Sequence, residues 1–226
     1  MNRPRTTIMC GLTLDGKIAP FRSCPGVKPS FGPYLNRKVA EVQHKHRAEF
    51  DAMMVGGNTV AIDDPSLTAR FGNGKNPVRV VVDPEAVSPL NAKVFNDKQA
   101  ETVVAVTSQT DESYISALKE RGVTVALCGD GEHVELKLLM DYLSQRGIKT
   151  LMLEGGGILN WLMLHEGLVD DLLVFVVNII TGRKTAPALA EGPGQQEFED
   201  VVELRYVSTK VLDGVQLVHY EVKKDF

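Results

Sequence analysis

Short apolar runs and amphipathic stretches alternate along most of the chain. The apolar runs are rich in Val, Ile and Leu, and most of them end at or near a turn residue, which is typical of β-strands. The predicted strands are Thr6–Leu14, Asp51–Val55, Val78–Asp83, Thr102–Thr107, Val123–Cys128, Thr150–Leu153, Leu172–Ile180, Val201–Val211 and Val215–Val222.

Between these runs, apolar residues recur at spacings of three and four, the spacing of one face of an α-helix. The predicted helices are Tyr34–Glu49, a short helix after Gly57 that Pro65 stops, Ser113–Arg121, a helix from Val134 that ends near Gly147, and Ile158–Leu164.

Alternating strands and helices indicate a mostly parallel sheet with helices on both faces, a three-layer α/β/α arrangement. The turn Asp213-Gly214 separates the last two strands and predicts a C-terminal antiparallel hairpin. No change in composition and no repeat divides the chain. We therefore expect a single α/β domain over residues 1–226.

The segment Pro20–Pro33 interrupts the alternation. It contains four prolines, which is too many for a helix, and it is too long for a simple connection. We expect a functional lid or a flexible insertion there.

Composition and charge narrow the class of protein. The chain has 226 residues, 43% of them hydrophobic, and a net charge of −4, which argues against nucleic-acid binding through bulk electrostatics. An anionic ligand must therefore be held by a few local cations. Three scattered cysteines fit a reducing compartment, and no run of about 20 apolar residues predicts a membrane span. We expect a soluble, cytoplasmic protein.

The stretch Thr150–Leu164 combines a buried strand, three glycines and an apolar helix. Such a junction exposes backbone N–H groups at a helix N-terminus, where the helix dipole favours a phosphate. Glycine allows close approach of the anion and tolerates a positive φ. Tight packing alone is the alternative explanation. A second junction at Gly56-Gly57 would open at the same edge of a parallel sheet, so that together they predict a site for a pyrophosphate or a dinucleotide.

Several other classes of site lack their sequence patterns. The glycine run has no third glycine where the G-x-G-x-x-G dinucleotide fingerprint requires one, and no G-x-S-x-G occurs. Among the histidines only His44 and His46 are close, and a helical i, i+2 pair points to different sides, so no metal site is predicted.

Several motifs occur in order and resemble one known family. They are L-T-L-D-G-K-I-A from Leu12, V-G-G-N-T-V-A-I-D-D-P-S-L-T-A-R from Val55, P-V-R-V-V-V-D from Pro77, L-E-G-G-G-I-L-N from Leu153 and G-L-V-D-D from Gly167. Together they resemble the pyrimidine reductases of riboflavin biosynthesis, which have a dihydrofolate-reductase-like fold. Because no H-x-E…C-x-x-C deaminase motif occurs, the chain is most similar to the stand-alone archaeal and fungal type.

The resemblance implies a reaction and a set of site residues. It implies NADPH-dependent reduction of 2,5-diamino-6-ribosylamino-4(3H)-pyrimidinone 5′-phosphate to the ribitylamino product, by hydride delivery to C1′ of the ribose, with NADH as the alternative cofactor. The implied cofactor residues, together with the two glycine junctions, are Gly11, Gly57, Thr59, Asp63, Gly155, Gly156, Gly157 and Leu159. The implied substrate residues are Lys17, Arg47, Leu67, Arg70 and Glu154.

Some alternatives stay open at this point. Glu154 and Asp63 are both candidates for moving the required proton. The substrate could instead be the deaminated pyrimidine or another pterin-like or imine compound, or the chain could be a non-catalytic nucleotide-binding module. We also predict that Arg47 and Arg70 jointly bind the substrate's 5′-phosphate, and that the chain is a homodimer formed through the very apolar segment Leu172–Ile180.

Overall fold

A computed structural model describes residues 3–21, 31, 34–70, 75–193 and 201–223. The chain groups into two compact units, which we describe one at a time: the first contains Met1–Arg5 and His44–Met152, the second Thr6–Gln43 and Leu153–Phe226. Most of the proposed lid Pro20–Pro33 lies outside the described residues. The expectation of a single domain stays a prediction.

Nine strands and six helices occur in the part of the chain that is described. The strands are β1 (Arg5–Thr13), β2 (Ala52–Gly56), β3 (Val78–Val82), β4 (Thr102–Val106), β5 (Thr124–Leu127), β6 (Thr150–Leu153), β7 (Asp171–Val177), β8 (Leu204–Leu212) and β9 (Val215–Val222). The helices are α1 (Arg37–Glu49), α2 (Gly57–Asp63), α3 (Lys93–Asn96), α4 (Glu112–Glu120), α5 (Leu136–Gln145) and α6 (Gly157–His165).

The first unit contains five strands in the order β5-β4-β3-β2-β6. The pairs β2–β3, β3–β4 and β4–β5 are all parallel, and helices connect successive strands. All five residues of β4 are buried, as are four of the five in β2. Strands buried in this way have both faces covered, as the continuous apolar runs predicted.

The second unit contains the order β1-β7-β9-β8. β1 and β7 are parallel, whereas β7–β9 and β8–β9 are antiparallel. Asp213 and Gly214 join β8 to β9 with φ of 48° and 90°. Two positive φ values in succession suit the right-handed twist of a hairpin, so the sequence correctly predicts this connection.

The homodimer stays a prediction, but the apolar composition of Leu172–Ile180 has another explanation in the structure. β7 ends at Val177 and has β1 on one side and β9 on the other, so it is an interior strand. Burial between two neighbours explains its apolar composition. The outer strand of this unit is β8, eight of whose nine residues are exposed.

Helix α1 begins three residues later than the predicted Tyr34. The side-chain Oδ1 of Asn36 accepts a hydrogen bond from the backbone N–H of Val39, at 2.9 Å. This is the contact of an N-cap residue, which supplies an acceptor to a helix N–H that has no partner within the helix. Asn36 therefore sets the start of the helix at Arg37.

Candidate active site

The segment from Asp64 to Arg70 has no regular secondary structure, and hydrogen bonds to its main chain hold it in place. Helix α2 ends at Asp63, and Asp64 follows in the left-handed region with φ of 43°. The carboxylate of Asp64 accepts the Lys93 backbone N–H at 2.8 Å. Leu67 is buried and has φ of 48°, which is rare for a residue with a large side chain. Such conformations cost about 1–3 kcal/mol and persist where the surroundings hold them.

A buried arginine holds the main chain beside Leu67. Arg79, on β3, is only 1% exposed. Its guanidinium donates hydrogen bonds to the carbonyl oxygen of Ser66 at 3.3 Å, to Asp97 Oδ1 at 2.7 Å and to the carbonyl oxygen of Ala100 at 2.6 Å. The sequence analysis did not identify this residue. The sequence does indicate its importance, because Arg79 lies inside the apolar run V-R-V-V-V and a charge buried in a strand requires hydrogen-bonding partners.

The structure brings Arg47 and Arg70 to the same imidazole. His44 is 7% exposed and lies one helical turn before Arg47 on α1. Its Nδ1 accepts the backbone N–H of Arg70 at 3.2 Å, and Nη1 of Arg47 lies 3.5 Å from the same nitrogen. Arg47 is half-buried and Arg70 is exposed. Sequence reasoning missed His44, although its spacing of three from Arg47 was visible.

At the first glycine junction, Gly57 is packed against a buried carboxylate. A Cβ on Gly57 would lie 2.3 Å from Asp83 Oδ1. Asp83 is 1% exposed and accepts hydrogen bonds from the N–H groups of Val87 and Ser88 and from the Tyr114 hydroxyl, at 2.9, 3.0 and 2.8 Å. Burial and then the charge of Asp83 raise the pKa of Tyr114 above its usual range. Tight packing, the alternative explanation for a glycine junction, therefore accounts for Gly57.

Two further predicted cofactor residues lie on α2. Thr59 and Asp63 are both half-buried. They are four residues apart in the same helix and therefore share one face, about one turn from each other. The Thr59 hydroxyl and the Asp63 carboxylate therefore lie on the same side of α2.

The second glycine junction does not use a left-handed backbone. Gly156 is the N-cap of α6, with φ of −69° and ψ of 170°, and the positive-φ residues do not include Gly155 or Gly157. This turn therefore does not use the ability of glycine to adopt a positive φ. These backbone conformations are open to any residue, so the reason for glycine must lie in what surrounds the turn.

Packing explains the first and third of the three glycines. A Cβ on Gly155 would lie 3.0 Å from Cδ2 of Leu159. A Cβ on Gly157 would lie 2.6 Å from the carbonyl oxygen of Ala188 and 2.8 Å from Cγ of Glu191. Gly156 is half-exposed at the start of α6, where no side chain caps the helix. Gly156 is therefore the position of the three at which an anion can best approach the helix.

The segment that covers Gly157 also contacts Lys17. Lys17 forms an isolated antiparallel bridge with Ala188 after the turn that follows β1. Its backbone N–H donates to Thr13 Oγ1 at 2.9 Å, and the residue is half-exposed. Lys17 and the start of α6 therefore border the same short segment, so a predicted substrate cation and the glycine turn lie close together.

Gly11 lies within β1, opposite Phe175 on β7. A Cβ there would lie 3.7 Å from Cδ2 of Phe31 and 3.9 Å from Leu35, which are ordinary contacts. These neighbours therefore do not require a glycine. The position is compatible with the predicted close approach of a ligand to the strand.

Glu154 follows β6 directly and is half-buried. Burial and then the Glu154 charge raise the pKa of the Cys10 thiol to about 12. Cys10 is therefore a neutral thiol at physiological pH, and it is neither a nucleophile nor a metal ligand in that form. Of these two groups, the carboxylate is the one suited to moving a proton.

The described ranges contain no group of three or more His, Cys, Asp or Glu side chains placed to hold a metal ion, and none of their helices has the length and apolar content of a membrane span. A cavity of about 390 Å³ lies at the amino ends of the strands of the first unit, lined by residues that include Asp51, Val78 and Glu101. None of the predicted site residues lines it.

Comparison with known proteins gives consistent matches over the whole chain. The RibD C-terminal domain family matches residues 4–217. Two proteins named 2,5-diamino-6-ribosylamino-4(3H)-pyrimidinone 5′-phosphate reductase are similar: that of Aquifex aeolicus is 34% identical over 98% of both chains, and that of Methanothermobacter thermautotrophicus is 38% identical over 98% of this chain and 99% of its own.

A solved structure shares the fold. The structure of a pyrimidine reductase-like protein from Corynebacterium diphtheriae matches 99% of this chain and 94% of its own, with a TM-score of 0.81 and 17% identity. The fold class expected from the sequence, a mostly parallel mixed sheet with a C-terminal antiparallel hairpin, is confirmed.

Proposed function

Since the chain belongs to the RibD C-terminal domain family, we propose that it is the reductase that acts on 2,5-diamino-6-ribosylamino-4(3H)-pyrimidinone 5′-phosphate in riboflavin biosynthesis. The observation that carries this proposal is identity of 34% and 38% to two proteins of that name along nearly their whole length. The product is the ribitylamino pyrimidine, and we place the enzyme in the cytoplasm.

The start of α6 supports a nicotinamide dinucleotide as the cofactor, with NADPH proposed and NADH as the alternative. The helix has nine residues, no acidic residue in its first turn and no side-chain cap. Its first N–H groups and its dipole therefore favour a phosphate beside Gly156. Gly11, Thr59 and Asp63 are the further residues proposed to hold the cofactor, which supplies a hydride when bound.

We propose that Arg47 and Arg70 bind the 5′-phosphate of the substrate. Arginine presents a planar fork of donors that can bond two phosphate oxygens at once. Both residues are anchored at His44, and the chain as a whole is acidic, so a local pair of cations is needed to attract a dianion. Leu67, which is buried in a left-handed conformation, is proposed to contact the pyrimidine.

When the sugar ring opens, its ring oxygen must gain a proton. Glu154 and Asp63 are the proposed groups, and both are half-buried carboxylates. The conservative variants Glu154→Gln and Asp63→Asn show which of the two carboxylates moves the proton. The variant at the proton-moving position should lose most of kcat at every pH, whereas the other should change mainly KM.

The decisive test follows oxidation of reduced nicotinamide with the diamino and the deaminated pyrimidine phosphates as separate substrates. We expect a higher kcat/KM with the diamino compound and NADPH. A preference for the deaminated compound would change the substrate but keep the reaction. Tight binding of NADPH without turnover of either compound would show a non-catalytic nucleotide-binding module and refute the proposal.

We also propose that two copies of the chain pair through β8. This strand carries exposed apolar side chains, among them Tyr206 at 58% and Val211 at 64% exposure. Both lie on the outermost strand of their unit, where a second copy can cover them. Light scattering at micromolar concentration should show a dimer, and Val211→Lys should shift it toward monomer. A wild-type monomer would refute the proposal.

A further inference from the structure

His44 is a buried imidazole whose Nδ1 acts as a hydrogen-bond acceptor. Its Nδ1 accepts the backbone N–H of Arg70, so Nδ1 carries the lone pair and the ring proton is on Nε2. Nη1 of Arg47 points at the same lone pair from 3.5 Å, near the limit of a hydrogen bond. In this tautomer Nδ1 accepts from the main chain of Arg70 and faces the side chain of Arg47 as an acceptor.

These contacts constrain the two arginines in different ways. The contact to Arg70 fixes its main chain, and thereby the point from which its exposed side chain extends. The contact to Arg47 limits the rotation of a side chain that otherwise has several free torsions. Because His44 is 7% exposed, water competes poorly for its lone pair.

We propose that His44 is a positioning residue that sets the two arginines to receive one anion, the phosphate of the substrate. The inference rests on the proposed function, since it takes the phosphate to be that of the pyrimidine ribose phosphate. His44 acts through the arginines and does not touch the reacting atoms. The positioning of the arginines depends on the acceptor at Nδ1 and does not depend on a charge on the ring.

Two substitutions at His44 test whether an acceptor at the position of Nδ1 is what the arginines require. His44→Asn places an oxygen or nitrogen at the position of Nδ1, whereas His44→Gln places its amide one bond further out, near the position of Nε2. We expect His44→Gln to raise KM for the pyrimidine phosphate about tenfold, the loss that corresponds to one hydrogen bond. His44→Asn should stay within about threefold of wild type, and kcat and the KM for NADPH should change little in both.

His46 supplies a matched control on the same helix. It is half-exposed, and its Nδ1 lies 3.1 Å from Glu49 Oε2, so it contacts neither arginine in the described contacts. His46→Gln should leave the KM for the pyrimidine phosphate unchanged. A rise in KM equal to that of His44→Gln would show a general effect of α1 and overturn the proposal.

A second measurement tests the proposal by phosphate binding alone, without any turnover. Binding of ribose 5-phosphate is measured by calorimetry for wild type, His44→Gln, Arg47→Ala and the double variant. We expect weaker binding in each single variant and a smaller effect of His44→Gln once Arg47 is absent. Equal binding by wild type and His44→Gln, or strictly additive losses, would overturn the proposal. Ribose 5-phosphate binding that follows this pattern without turnover of either pyrimidine would refute only the proposed function.

Discussion

The two neighbouring glycines at the start of α6 should respond differently to substitution. Gly157→Ala would place a Cβ 2.6 Å from the carbonyl oxygen of Ala188, well inside the 3.4 Å at which ordinary contact begins. Because a backbone atom cannot rotate away, the whole covering segment must shift. Overpacking of this kind costs about 1–3 kcal/mol, which for a chain of this size lowers Tm by about 2–12 °C.

Gly156→Val should instead preserve the fold and weaken cofactor binding. With φ of −69° and ψ of 170°, valine adopts the native backbone conformation without strain. Valine is a poorer N-cap than glycine, which costs up to about 1 kcal/mol. A branched side chain there separates the phosphate from the helix N–H groups. Loss of one charge-assisted hydrogen bond, about 1.5–3 kcal/mol, raises the Kd for NADPH about 10- to 150-fold.

The assay pairs two readouts on the same samples. Thermal unfolding without ligand measures stability, and fluorescence titration measures the Kd for NADPH. We expect Gly157→Ala to show the larger fall in Tm and Gly156→Val the larger loss of affinity. Wild-type affinity in Gly156→Val would show that the turn is only structural, and an unchanged Tm in Gly157→Ala would refute the packing argument.

Three further predictions follow from other contacts. Arg70→Lys should weaken pyrimidine phosphate binding by about 1–3 kcal/mol and leave NADPH binding unchanged, because lysine has no planar fork; an unchanged KM in both Arg70→Ala and Arg47→Ala would exclude this phosphate site. Tyr114→Phe removes a buried hydrogen bond to Asp83 and should lower the free energy of unfolding in urea by about 1–3 kcal/mol, so equal stability would show that the contact contributes nothing. At Asp51, burial raises the carboxyl pKa, but hydrogen bonds from the N–H groups of Lys149 and Thr150 outweigh it and leave the pKa lowered. The stability that Asp51 adds is therefore present above about pH 4 and lost below it, so the stability gap between wild type and Asp51→Asn should close in acid, and a gap equal at neutral and acid pH would contradict this.

Local signals made much of the fold predictable. The strands follow from continuous apolar runs, and the hairpin follows from Asp213-Gly214, because few other residue pairs tolerate two positive φ values. In the candidate site, the arginines and the D-D-P-S-L-T-A-R segment were found from motifs, and the structure gives Arg47 and Arg70 a common anchor.

Features that depend on distant parts of the chain were not predictable. The need for glycine at position 157 comes from Ala188, about thirty residues away in sequence. Apolar composition alone could not place β7 between two neighbours, since interior strands and interfaces have the same pattern. The left-handed conformation of Leu67 also has no local signal, because leucine itself disfavours it.

The way Arg79 holds the main chain at Ser66 affects how this enzyme can evolve. Two of its three partners are carbonyl oxygens, those of Ser66 and Ala100, which every residue possesses. Side chains at those two positions can therefore change by mutation without loss of the contacts. A guanidinium also keeps its charge over the physiological pH range. Lineages can thus vary the side chains around the proposed substrate site while the path of the main chain is inherited intact.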